Sequence, residues 1–192
     1  MKTNKLKDFI VVIKNAVHIE ICDKIIEEYI TCSRWRYATI NEEDENGRNP
    51  IKDIRNCEII KMSYGDNLRI NKKRTDLDNI LFGVMEQCLA NYRGLFKSCS
   101  VSQDSGYDLL RYNKHGFYKE HTDSFAGLHR EVACSLTLND NFKGGEFAFF
   151  NKELQYSLEK GDALMFPSNF MYPHQIMEIT EGTRYSIITW FK

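Results

Sequence analysis

The second half of this chain is a series of short apolar runs cut by turn residues. VACSLTL, EFAFF, ALMFP and RYSIITWF are separated by Gly, Pro, Asn and Asp. Runs of that length and punctuation read as strands, so residues far apart in sequence must meet across a sheet. In the last run Arg184, Ser186, Ile188 and Trp190 share one face, and Tyr185, Ile187, Thr189 and Phe191 share the other. Both faces carry bulky groups, which suits a strand buried between a lumen and an outer layer. In VACSLTL, Ala133, Ser135 and Thr137 form a smaller, more polar face that can line a cavity without filling it. Cys134, Leu136 and Leu138 point the opposite way.

Turn chemistry supports this division. Gly144-Gly145 predicts a tight hairpin turn, because glycine reaches positive φ without steric cost. Gly161-Asp162 and Gly182 predict turns before the last two strands. Pro167 and Pro173 bracket the approach to His174 and restrict the chain there. The first half is different. FIVVIKNAV reads as a strand with an exit turn, and HIEICDKIIEEYITC has apolar residues at helical spacing. NEEDENGRNP (41–50) is a polar, acidic loop, DIRNCEIIKM is strand-like, and the basic run RINKKR (69–74) is expected to be a solvated loop. TDLDNILFGVMEQCLANYRGLF is a long amphipathic helix, with Thr75 or Asp76 as its cap.

The chemistry concentrates in the strand-rich half. His121 and Asp123 are two residues apart, so in a strand they share a face; His174 follows about fifty residues on. Two imidazoles and one carboxylate can hold one face of a ferrous ion and leave the opposite face open. Of the other histidines, His18, His115 and His129 read as surface or packing residues. Ten residues past His174 comes Arg184, with Ser186 two further on. A guanidinium fork matches a carboxylate bidentately, so Arg184 could grip the far end of a metal-held dicarboxylic acid. Triad and clamp together point to 2-oxoglutarate.

The stretches YNKHGFYKEHTD, LTLNDNFKGGEFAFF and KGDALMFPSNFMYPHQIMEITEGTRYSIITWF closely resemble the prolyl 4-hydroxylase-like branch of the iron(II)/2-oxoglutarate-dependent dioxygenases. That branch shows Y-x-x-x-G-x-Y-x-x-H-x-D, an LN…GGE segment, K-G-D-A-L-x-F, a second metal histidine and G-x-R-x-x-x-x-x-W, in this order. The likeness is strong over 107–192 and weaker over 8–100. It implies an α+β, mainly β fold, a double-stranded β-helix (jelly roll) buttressed by N-terminal helices. Residues 1–192 would form a single domain, with 1–100 as helical and strand support and 107–192 as catalytic core. It implies Fe(II) on His121, Asp123 and His174, with 2-oxoglutarate and O2 as cosubstrates and room for ascorbate. Arg184 would meet the C5 carboxylate, with Ser186, Thr137 and Tyr112 adding hydrogen bonds. Trp190 matches a tryptophan near the cosubstrate in some relatives, and a buried core role fits it as well. The carboxylate ligand favours hydroxylation over halogenation. The implied substrate is a prolyl residue in a peptide or protein, with a free amino acid or other small molecule as the alternative.

Length and composition bound these expectations. A chain of 192 residues, 42% hydrophobic and with three prolines, suits one compact domain without an internal linker. A net charge of −1 gives no general attraction to nucleic acid or to an anionic membrane. The first thirty residues lack the apolar core of a signal peptide, and no run approaches a membrane span. Six cysteines without a C-x-x-C pair suggest free thiols in a reducing, cytoplasmic setting. Two other classes stay open. The triad could hold zinc in a hydrolase, with Glu120 or Glu146 as general base, although the arginine clamp then has no role. The chain could also be a non-catalytic binding module with a relict site.

Overall fold

The computed structural model describes residues 5–39, 52–62, 71–124, 127 and 129–192, so the acidic loop expected at 41–50 lies outside the described residues. The first half contributes strands β1 (Val11–Ile13), β2 (Arg36–Tyr37), β3 (Arg55–Asn56) and β4 (Glu58–Lys61), with helices α1 (Ile19–Tyr29) and α2 (Lys72–Leu95). Strands β5 (Asp108–Tyr112), β6 (Phe117–His121), β7 (Val132–Thr137), β8 (Lys143–Gly144) and β9 (Phe147–Phe149) follow. The chain finishes with β10 (Leu154–Tyr156), β11 (Ala163–Pro167), β12 (His174–Ile176), β13 (Ile179–Glu181) and β14 (Arg184–Phe191).

These strands build a jelly roll of two facing antiparallel sheets. The larger has seven strands in the order β1-β11-β7-β14-β5-β4-β2, and the smaller has five, β10-β9-β12-β6-β3. The N-terminal strands complete both sheets as well as supporting them: β1 pairs with β11, β4 with β5, and β3 with β6. The two faces of β14 do what its alternation predicts. Tyr185, Ile187 and Phe191 pack in the cluster shared with the helices, and Ile188 and Trp190 pack between the sheets. Cys134 and Leu136 of β7, with Leu138 just beyond it, join the helix side, while Ala133 faces the interior.

The helices cover the outer face of the large sheet. Helix α1 buries Cys22, Ile25 and Tyr29, and α2 buries Leu77, Leu81, Met85, Cys88, Leu89 and Tyr92. Both sets recur every three to four residues, the spacing of one helical stripe. Each buried leucine contributes roughly 1.5–3 kcal/mol of transfer free energy. Helix α2 starts earlier than the sequence predicts. Its cap is Asn71, whose side chain accepts the backbone N–H of Arg74 at 3.3 Å; Thr75 lies inside the first turn and donates to the Asn71 carbonyl. The basic residues Lys73 and Arg74 are therefore helical, not part of a solvated loop. Both pair with Glu28 of α1, at 3.1 and 2.8 Å, which offsets the unfavourable placement of cations at a helix N-terminus. Replacing Asn71 with alanine should lower stability by about 1 kcal/mol, measured as a fall in the urea midpoint at unchanged slope.

Gly144-Gly145 also departs from expectation. Both have positive φ, +77° and +72°, but Gly144 pairs with Ile179 of β13 and does not turn a hairpin. A Cβ on Gly144 would stand 2.0 Å from the Glu178 carbonyl oxygen, so close backbone approach is what requires the glycine. All six cysteines are free. No helix among the described residues is long and apolar enough to cross a membrane.

Candidate active site

The small sheet brings the two histidines together. His121 ends β6 and His174 begins β12, and the two are register partners across the ladder. Asp123 lies in a bend beyond β6 and not on the strand itself, so strand alternation is not what aims it. The bend returns its carboxylate over the imidazoles: Oδ1 is 3.6 Å from His121 Nε2, and Oδ2 is 3.5 Å from His174 Nε2. One donor atom from each of the three lies within 4.8 Å of the others, close enough to share one cation.

The imidazole tautomers follow from the backbone. His121 Nδ1 is 2.8 Å from the Lys119 carbonyl and His174 Nδ1 is 3.0 Å from the Tyr172 carbonyl. A carbonyl can only accept, so each Nδ1 carries the proton and each Nε2 presents its lone pair inward, the arrangement that orients metal-binding imidazoles. Burial lowers the His174 pKa to about 4, outweighing the neighbouring carboxylate, and keeps the ring neutral. Burial alone would raise the Asp123 carboxyl, but the facing His174 and His121 imidazoles, which carry charge once protonated in acid, reverse this and hold it below the ordinary range. Asp123 Oδ2 is nevertheless buried without a hydrogen-bond partner. A buried carboxylate oxygen costs free energy unless something positive meets it. Two neutral nitrogen lone pairs and one orphaned carboxylate oxygen, converging, fit a divalent cation. Aromatic rings wall the site: Tyr118 stacks on His121 at 3.5 Å, and Phe166 meets His174 edge-on at 4.7 Å.

Strand β14 supplies the second part of the site. It pairs Arg184 with Tyr112 of β5, Ser186 with Thr137 of β7, and Ile188 with Ser135. One cavity of about 40 Å³ is lined by His121, Asp123, His174, Tyr112, Arg184 and Ser186. Arg184 is 2% exposed, and its Nη1 donates to Ser186 Oγ at 2.8 Å. Its guanidinium lies 5.5 Å from the Tyr112 ring and 5.6 Å from the Phe147 ring. Burial lowers its pKa, and among the described residues no carboxylate forms an ion pair with it. A larger cavity of about 300 Å³ adjoins the first, and Arg184 and Phe147 line both.

The predicted site residues divide between these spaces. Tyr112, Ser186 and Trp190 line the triad's cavity, whereas Thr137 lines the larger one, where its buried hydroxyl has no hydrogen-bond partner. Trp190 is six residues along the strand from Arg184, roughly 20 Å, and so belongs to the Asp123 end. The Arg130 guanidinium lies 3.5 Å from its ring centroid. Neither candidate base for a hydrolase lines the triad's cavity. Glu120 accepts the Asn151 backbone N–H at 2.8 Å, and Glu146 lines the larger space beyond Arg184. The sequence reading missed Arg55, Phe147 and Ile176, which also line the cavity. Nothing local marks them; strand pairing brings them in.

Gly145 packs beneath the Arg184 stem. A Cβ there would sit 2.4 Å from Ile179 Cδ1 and 3.1 Å from Arg184 Cδ, on a backbone with φ +72°. Gly145→Ala should therefore destabilise the fold by about 1–3 kcal/mol and displace the Arg184 stem. The check is a thermal melt together with titration of 2-oxoglutarate, whose binding should weaken.

Residues 107–192 match the family model described as the 2OG-Fe(II) oxygenase superfamily. No curated protein matches the sequence. Among solved structures, the fold is similar to a Trichoplax adhaerens prolyl hydroxylase in complex with a hypoxia inducible factor peptide fragment. That likeness has a TM-score of 0.75 at 14% identity and covers 95% of this chain and 83% of that one. A Pseudomonas putida prolyl-4-hydroxylase is similar with a TM-score of 0.65 at 21% identity, covering 96% and 92%. A viral collagen prolyl hydroxylase from Paramecium Bursaria Chlorella virus-1, in its 2OG complex, gives 0.67 at 14% identity, covering 95% of each chain.

Proposed function

We propose that this chain is a 2OG-Fe(II) oxygenase of the prolyl 4-hydroxylase type and hydroxylates a prolyl residue in a peptide or protein. The observation that carries the reading is the pairing of two unsatisfied buried charges. Arg184 is buried without a carboxylate partner among the described residues, and it shares a cavity with a three-donor cluster whose carboxylate oxygen is itself unpartnered. A dication at the cluster and a dianion reaching from it to Arg184 would satisfy both. The relatives' substrates, a hypoxia inducible factor peptide and collagen, support a polypeptide substrate.

In this reading His121, Asp123 and His174 hold Fe(II) through Nε2, one carboxylate oxygen and Nε2. Fe(II), 2-oxoglutarate and O2 together supply the oxidation that places a hydroxyl on an unactivated C–H and leaves succinate and carbon dioxide. The protein's share is to bind, orient and exclude water. Arg184 receives the C5 carboxylate, and Ser186 and Tyr112 offer hydroxyls to the same group. Thr137, register partner of Ser186, offers its hydroxyl from the adjoining cavity that Arg184 also lines. Phe147, Phe149 and Phe166 surround His174 and keep that side of the metal dry. The carbonyls of Lys119 and Tyr172 fix the imidazole planes. Residues 1–192 act as one catalytic domain, and the six free thiols suit the reducing cytoplasm.

The test is a panel of proline-containing peptides incubated with the protein, Fe(II), 2-oxoglutarate and O2, read by mass spectrometry. A gain of one oxygen atom localised to proline supports the proposal. Succinate without any modified peptide would remove the prolyl substrate and leave the reaction class standing.

A further inference from the structure

The triad's cavity contains a second arginine whose charge the scheme above leaves unmatched. Arg55 lies on β3 directly across from Tyr118 of β6, in the sheet that carries both histidines. Its guanidinium sits 4.5 Å from the Tyr118 ring centroid, and that ring stacks on His121 at 3.5 Å and 18°. Only one ring therefore separates Arg55 from a metal-binding imidazole. Arg55 also lines the same cavity as His121, Asp123, His174 and Arg184.

The side chain is held in place and still has donors to offer. Nε donates to Cys57 Sγ at 3.3 Å and Nη1 donates to the Thr39 carbonyl at 3.1 Å. A guanidinium carries five N–H groups in a rigid fork, so these two contacts orient it without exhausting it. Among the described residues no carboxylate forms an ion pair with it.

A charge count then points to the substrate. On the reading above, Fe(II) and Arg184 are balanced by the Asp123 carboxylate and the doubly charged cosubstrate. Among the described residues Arg55 remains as one positive charge without a carboxylate partner, beside a low-dielectric site, which is costly unless an anion meets it. We infer that Arg55 is a substrate-binding residue that receives a carboxylate carried by the substrate close to the carbon that is hydroxylated. This rests on the proposed function and narrows it. Three kinds of substrate carry such a group: a free imino acid, a peptide ending in proline, and a peptide with an acidic side chain next to proline. An internal proline flanked by neutral residues would lack it.

The inference is tested by binding, without turnover. The protein is loaded with Mn(II) in place of iron under anaerobic conditions and saturated with 2-oxoglutarate. Calorimetry then compares three matched pairs: L-proline with L-prolinamide, a proline-terminated peptide as acid and as amide, and a peptide with Glu or Gln beside an internal proline. In at least one pair the carboxylate form should bind about 10- to 100-fold tighter, as for a charge-assisted hydrogen bond in a partly buried site. In Arg55→Gln that ratio should fall to near one, and Arg55→Lys, which keeps the charge, should retain part of it. The inference is overturned if no pair shows the preference in the wild-type protein, whatever the variants do. It is equally overturned if the preference survives Arg55→Gln. Failure of 2-oxoglutarate to bind the loaded protein would overturn the underlying reading and the inference with it.

Discussion

Asp123→Ala is expected to abolish metal-dependent succinate formation and to weaken Fe(II) binding by more than about 100-fold. Removing a group that merely supports a ligand already costs about 10- to 100-fold, and Asp123 supplies the only carboxylate among the three converging donors. It also supplies the negative charge that attracts the cation, since His174 is held neutral by burial. The fold should survive. Asp123 sits in a bend after β6 and its Oδ2 makes no hydrogen bond that packing depends on. Metal titration and a thermal melt on the same sample separate the two effects. A binding module with a relict site would keep its partner affinity in this variant, and an oxygenase would lose its turnover.

Arg184→Ala should leave Fe(II) binding intact and raise the 2-oxoglutarate requirement sharply. Truncating one partner of a buried charged pair costs about 2–5 kcal/mol, which corresponds to a loss of affinity from about 30-fold to a few thousand-fold. Arg184 also donates to Ser186 Oγ at 2.8 Å, so its removal frees that hydroxyl but leaves no cation for the carboxylate. The measurement is a titration of the metal-loaded protein with 2-oxoglutarate, wild type against variant. Iron-dependent activity with an unchanged 2-oxoglutarate KM would contradict the clamp.

Much of this site could be read in the sequence, for definite reasons. Strand alternation put Arg184, Ser186, Ile188 and Trp190 on one common face because side chains alternate with a period of two, and all four line the cavity. His121, Asp123 and His174 were marked by residue type and by their place among the motifs. The misreadings came where a long-range partner decides. Asn71 caps α2 ahead of the expected Thr75 or Asp76 because Glu28, 46 residues from Arg74, lets the basic run become helix. Gly144-Gly145 has the positive φ of a turn, yet it is the approach of residues 178–180 that uses it. Arg55 carried no signal at all. It stands in an unremarkable strand, and only its pairing with Tyr118 brings it into the site.

Whether His121, Asp123, His174 and Arg184 form one Fe(II)/2-oxoglutarate site is tested most directly by succinate release from purified protein given Fe(II), 2-oxoglutarate and O2, with Zn(II) in a parallel sample. Succinate is expected with iron and not with zinc. The requirement for 2-oxoglutarate should not be met by a monocarboxylic 2-oxo acid lacking the group that reaches Arg184. Zinc-supported hydrolysis, or a chain that binds neither Fe(II) nor 2-oxoglutarate, would contradict such a site.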